Sequence, residues 1–164
     1  MRSSFLLIFW GLLLSVFHFK LNGVDLLPDV IGYLLVFLGC RGLMSQAVGF
    51  TVAGPVAIVL MLLWLIAIVI PREMSSVFGT VVIVVNLVLV WYLIEGIGEI
   101  ATRGGRQEIV ESSRTRRAVY VVVMLIVALL PIVGGSFGIP VLIAWLVAVV
   151  LVLQLVYKAS KMQP

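Results

Sequence analysis

The sequence predicts an all-α membrane fold: a polytopic bundle of six transmembrane helices, paired as three hairpins, with the N- and C-termini both cytoplasmic. Three observations carry that prediction. Of the 164 residues, 63% are hydrophobic and 11% charged, against about 45–50% and 25% in soluble domains, so the natural solvent for this chain is lipid. The apolar residues fall into six runs, most of them close to the roughly 20 residues that cross a bilayer. The basic residues gather on one side when those runs alternate in direction.

The first run covers residues 4–19. Arg2 before an apolar stretch resembles a signal peptide, but the run ends in Phe17-His18-Phe19-Lys20 without a small-x-small cleavage pattern, so a retained helix is expected. The second covers 26–43, where Val30 to Cys40 is uninterrupted and Arg41 can snorkel to the surface. These two runs are the shortest, and a re-entrant hairpin entering from the cytoplasm is the alternative to two full crossings. The third run, 48–70, is the cleanest, followed by 77–97, 118–133 and 139–157. The valine runs in the fourth and fifth would favour strands in water. In lipid a segment must satisfy its own backbone N–H and C=O groups, so helices are expected.

Charge sets the orientation. With a cytoplasmic loop over residues 101–117, Arg103, Arg106, Arg114, Arg116 and Arg117 lie inside, and alternation brings Arg2, Arg41, Lys158 and Lys161 to the same side. Only Lys20 and Arg72 fall outside, so nine of the 11 basic residues obey the positive-inside rule. The net charge of +4 is therefore a topology signal and not a nucleic-acid footprint. The outer turns hold Asn22-Gly23, Pro28, Pro71 and Gly134-Gly135-Ser136-Phe137-Gly138. Pro28 and Pro140 suit the first turn of a following helix. Arg103-Gly104-Gly105-Arg106 breaks the fourth helix, after which residues 107–117 read as helical with mixed charge. The chain forms one domain, 1–164. The three-plus-three arrangement permits an inverted repeat, but the halves share no residue pattern.

Polar residues inside lipid are functional candidates by default, and few are present. Asn86 sits near the middle of the fourth helix, either lining a route for a ligand or ion or fixing helix packing through a hydrogen bond. Glu95 and Glu99, four apart, share a helix face and form a candidate cation or proton site. Arg103, four further on, is spaced for an ion pair with Glu99. Asp25 and Asp29 flank Pro28 at the outer mouth of the second helix, as ligand groups or as a helix-start device. Arg103, Arg106, Arg114, Arg116 and Arg117 form a surface for anionic headgroups or a protein partner, or simply an anchor of topology. Trp10, Trp64, Trp91, Trp145, Tyr33 and Tyr157 read as belt or packing aromatics. Small residues four apart, Ala53 with Ala57 and Ala144 with Ala148, permit close helix approach.

Other chemistries find little support. Cys40 is the single cysteine, so no internal disulfide or cysteine-rich metal site forms. His18 and the two glutamates lie at opposite ends of their helices, too far apart to share a metal ion. Gly134-Gly135-Ser136-Phe137-Gly138 matches G-x-S-x-G, with His18 and Asp29 on the same side, but the nucleophile elbow needs a strand-to-helix turn that this chain does not offer. No catalytic residue, metal or cofactor is assigned, and an enzymatic role is not favoured.

The stretch Val24-Asp25-Leu26-Leu27-Pro28-Asp29-Val30-Ile31-Gly32-Tyr33-Leu34-Leu35 resembles a segment of small multi-pass membrane proteins of bacteria whose function is uncharacterised. The helix exit through Gly96, Ile97 and Glu99 is similar as well. The resemblance implies a bacterial plasma membrane and brings no activity with it. The expected function is that of an accessory, assembly or subunit protein acting through contacts with lipid, other membrane proteins or itself. A small oligomeric transporter or channel subunit is the alternative, and an outward-facing membrane hydrolase the third.

Overall fold

The computed structural model describes residues 1–16, 26–67, 75–129 and 139–162. Among these the chain is all-α, with six helices and no strand: α1 (Arg2–Val16), α2 (Leu26–Arg41), α3 (Val48–Ala67), α4 (Ser75–Arg103), α5 (Gln107–Leu129) and α6 (Ile139–Ser160). Three helical stretches, Val48–Ala67, Val77–Arg103 and Ile139–Ser160, are long and apolar enough to cross a membrane. Arg2–Val16 is apolar but shorter. Pro28 and Pro140 both lie in the first turns of their helices, where a missing N–H removes no intrahelical bond. Pro55 is internal to α3, which nevertheless continues to Ala67.

Each helix packs against the next in sequence, and α1 closes the circle against α6, so the six form a ring. Neighbours run antiparallel. Gly11 faces Gly32 while Ser4 faces Gly39, Gly49 faces Gly96, and Arg116 reaches Leu151 while Lys158 reaches Glu108. One end of the ring therefore collects Arg2, Arg41, Arg103, Arg106, Lys158 and Lys161, and is here termed the basic end. The ring's outer face is apolar: Leu34, Val59, Val84, Leu125 and Leu146 are all exposed.

The basic half of the ring is filled. Phe5, Phe50, Leu43, Leu89, Leu93, Ile97 and Leu155 are at most 1% exposed, and the Phe5 and Phe50 rings meet edge to face with centroids 6.0 Å apart. Glycine permits the closest approach. A Cβ on Gly49 would lie 2.5 Å from the backbone nitrogen of Gly96 and 2.6 Å from the Tyr92 carbonyl, so α3 and α4 meet backbone to backbone. Ala53 and Ala57 are buried along the same helix, whereas Ala148 is buried and Ala144 exposed.

The turn between α4 and α5 is tighter than the expected 101–117 loop. Gly105 adopts φ +67°, the left-handed conformation that glycine tolerates. Arg106 N–H donates to Ala101 O at 2.9 Å, and Gly105 N–H donates to Thr102 O at 3.1 Å. This is a Schellman motif. α4 thus runs to Arg103 and α5 starts at Gln107. Hydropathy drops along the polar first turns of α5 although the helix does not stop, which is why a charge-based boundary placed the fifth segment at 118.

Candidate functional site

Among the described residues, the far half of the ring holds a half-open hollow. A cavity of about 170 Å³ lies inside it, walled by side chains from all six helices: Leu12, Ser15 and Val16 of α1, Tyr33 of α2, Trp64 of α3, Val82, Ile83, Asn86 and Val90 of α4, Tyr120 and Met124 of α5, and Trp145, Val149, Val152 and Leu153 of α6. None of these described wall residues is charged. They lie from the middle of the helices toward the end opposite the basic one, so the cavity adjoins the packed half.

Asn86 is the polar centre of the wall. Its Nδ2 donates to the Tyr33 hydroxyl at 2.9 Å, and its Oδ1 accepts from the Tyr120 hydroxyl at 2.7 Å. One amide therefore ties α4 to both α2 and α5. In apolar surroundings such interhelical bonds contribute about 0.6–2 kcal/mol each. Asn86 makes the packing bond and also lines the cavity. Trp64 lies beside the Tyr33 hydroxyl. Asp29 is 2% exposed and stands one helical turn from Tyr33 on the same face of α2, outside the described cavity wall.

Glu95 and Glu99 turn to different partners. Glu99 turns to the start of α3, where its carboxylate accepts from the N–H groups of Val48 at 2.8 Å and Gly49 at 3.2 Å. It satisfies two of the orphan donors of that helix and places negative charge at the positive end of the helix dipole. Arg103, spaced to pair with Glu99, instead donates to the Gln46 carbonyl. Together they clamp the short turn between α2 and α3 to the end of α4. Glu95 accepts from Trp91 Nε1 at 3.1 Å and lies 3.6 Å from Arg117, whose guanidinium sits 4.3 Å from the Trp91 ring centroid. This is a half-exposed cation–π and ion-pair cluster at the α4–α5 seam.

Arg116 crosses to α6 and donates to the Leu151 carbonyl, and desolvation by burial lowers its pKa from the usual arginine value. Arg106 and Arg114 are exposed. Glu108 pairs with Lys158 at 3.6 Å, joining α5 to α6. The candidates Asp25, His18 and Ser136 lie outside the described residues. Among the described residues, no three His, Cys, Asp or Glu side chains gather as metal ligands would.

Sequence reasoning missed Tyr120 altogether and read Tyr33, Trp64 and Trp145 as belt or packing residues. The available signal was their spacing: Tyr33 and Tyr120 each interrupt an aliphatic run at mid-helix. Comparison of the chain with known protein families, curated proteins and solved structures finds no match.

Proposed function

We propose that this chain is a six-span protein of a bacterial plasma membrane, with its basic end and both termini in the cytoplasm, and that it binds a small molecule in the hollow half of its bundle. The observation that carries the binding reading is the cavity itself. All six helices contribute to its wall, and a polar cluster of described residues, Asn86 with Tyr33 and Tyr120, sits among apolar and aromatic side chains. Ligand sites are commonly mostly apolar clefts with a few placed polar groups. The packed basic half stands between the cavity and the cytoplasmic side, which suits a carrier or binding subunit better than an open channel.

The membrane topology is supported by the apolar outer face of the ring and by the collection of basic residues at one end. It is tested by placing a single cysteine at Gly104 in a Cys40→Ala background. An impermeant maleimide is expected to label it only after the cells are permeabilised, and labelling in intact cells would reverse the orientation. The binding reading is tested by screening small molecules for thermal stabilisation of the purified chain in lipid nanodiscs, since a ligand that favours the folded state raises stability by mass action. Compounds that stabilise the wild type and not Asn86→Leu are expected. A broad screen that never separates the two proteins would count against the reading. Flux of such a compound into proteoliposomes then separates transport from binding alone.

A second reading, an accessory or subunit role through protein contacts, draws on α1 and α2. Both helices present apolar side chains on the outer face of the ring, Trp10 on α1 and Ile31, Leu34 and Leu38 on α2, which can meet partner helices as well as lipid. Stable partners that co-purify in mild detergent are its expected result.

A further inference from the structure

We infer that the cavity selects a neutral molecule the size of one six-membered ring, carrying a single hydroxyl group, such as a phenol or a cyclic alcohol. The inference rests on the binding reading above and adds the ligand's size, charge and polar group.

Size follows from volume. The cavity measures about 170 Å³, and an apolar protein cavity of about 150 Å³ accommodates benzene. Charge follows from the wall. No Asp, Glu, Lys, Arg or His is among its described residues, the Asp29 carboxylate acts on Tyr33 from outside that wall, and an ion moved into such a site loses its hydration with no charged group of the wall to contact. Trp64 and Trp145, both aromatic, are among the lining residues, and aromatic side chains pack well against a ring.

The hydroxyl follows from hydrogen-bond capacity. A primary amide offers two N–H donors and two acceptor lone pairs. The two observed bonds of Asn86 use one of each. The Tyr120 hydroxyl has committed its proton to Asn86 and presents only lone pairs. The Tyr33 hydroxyl accepts from Asn86 and has Trp64 as a second neighbour, while the Asn86 amide keeps one N–H beyond its two bonds. Donor and acceptor capacity are thus held side by side on one polar patch. A hydroxyl, which donates once and accepts as well, meets both, whereas a ketone meets only the donor and a hydrocarbon meets neither.

The test uses the full-length chain in detergent with para-fluorophenol and fluorobenzene as probes, followed by fluorine NMR. Val82→Phe, which fills the cavity, measures partition into the micelle alone. Wild type is expected to bind para-fluorophenol about tenfold more tightly than fluorobenzene, the factor that one net hydrogen bond contributes. Asn86→Leu is expected to bring the two probes level while fluorobenzene still binds. That outcome also separates recognition from folding, because the apolar probe reports an intact cavity. Equal affinity for the two probes in wild type overturns the assigned ligand class and leaves cavity binding standing. So does tighter binding of tetramethylammonium than of either probe. If neither probe distinguishes wild type from Val82→Phe or from a second filled variant, Val149→Phe, the binding reading itself falls.

Discussion

The two halves of the bundle are cut from equally apolar helices and are packed in opposite ways. Toward the basic end, glycines and alanines let backbones touch, and Phe5, Phe50, Leu89, Leu93 and Leu155 fill the middle. Toward the far end, branched aliphatic side chains and four aromatic rings line a space they do not fill. Polar groups follow the same division. In the filled half they tie helix ends together, as Glu99 does for α3 and Arg103 for the α2–α3 turn. In the hollow half three of the described polar residues, Asn86, Tyr33 and Tyr120, meet in a cluster at the cavity wall. Apolar composition alone therefore does not decide whether a helix ring is solid. The decision lies in which side chains face inward at each level.

The sharpest way to break this contrast is to add the same bulk to each half. Ala57→Phe places a ring where the native side chain is fully buried. It is expected to cost about 3 kcal/mol or to prevent folding, since overpacking a dense core costs roughly 1–3 kcal/mol for smaller insertions. Val82→Phe, into the cavity, is expected to change stability by less than about 1 kcal/mol, because the void accepts the volume. Thermal unfolding of the two variants in one detergent checks the pair. Equal losses would mean that the halves are packed alike.

A smaller effect is expected at the helix start held by Glu99. Glu99→Ala strips Val48 and Gly49 of their shared acceptor and should cost about 0.5–2 kcal/mol, the range for lost N-terminal caps. The loss should be seen first as faster exchange of amide hydrogens in the first turn of α3. Asn86→Leu should cost about 0.6–1.7 kcal/mol, as for interhelical polar contacts in membrane bundles, while removing recognition of a hydroxyl ligand. A stability loss several times larger would recast Asn86 as a structural keystone. The smallest effect is expected from Arg117→Ala at the half-exposed Trp91–Glu95 cluster. It should cost about 1 kcal/mol or less and fall further at high salt. An effect insensitive to salt would assign the loss to packing of the arginine stem.

Much of the fold was legible in the sequence because hydrophobic runs and breakers act locally. The glycine break at Gly104-Gly105 and the prolines at the starts of α2 and α6 behave as their chemistry dictates. What hydropathy blurred was the α4–α5 junction, since a helix can leave the apolar region without ending. The site was half legible. Asn86 stands out as the amide in an aliphatic helix, but its partners Tyr33 and Tyr120 lie 53 and 34 residues away, and no local pattern reveals which helices adjoin. Glu99 was misjudged for the same reason. Its spacing to Arg103 suggested an ion pair within one helix, whereas the N–H groups of Val48 and Gly49 on a neighbouring helix hold it more directly. Asp29 was placed at a helix start, and its burial next to Tyr33 came only with the fold.

The contrast between a filled and a hollow half can be read most directly from thiol reactivity. Cys40, the single cysteine, lies fully buried in the filled half, and Ser15 lines the cavity with a side chain nearly isosteric with cysteine. A small neutral methanethiosulfonate should leave Cys40 of the folded wild type unmodified and should react readily with Ser15→Cys in a Cys40→Ala background. Comparable rates at the two positions, or faster modification of Cys40, would contradict the account.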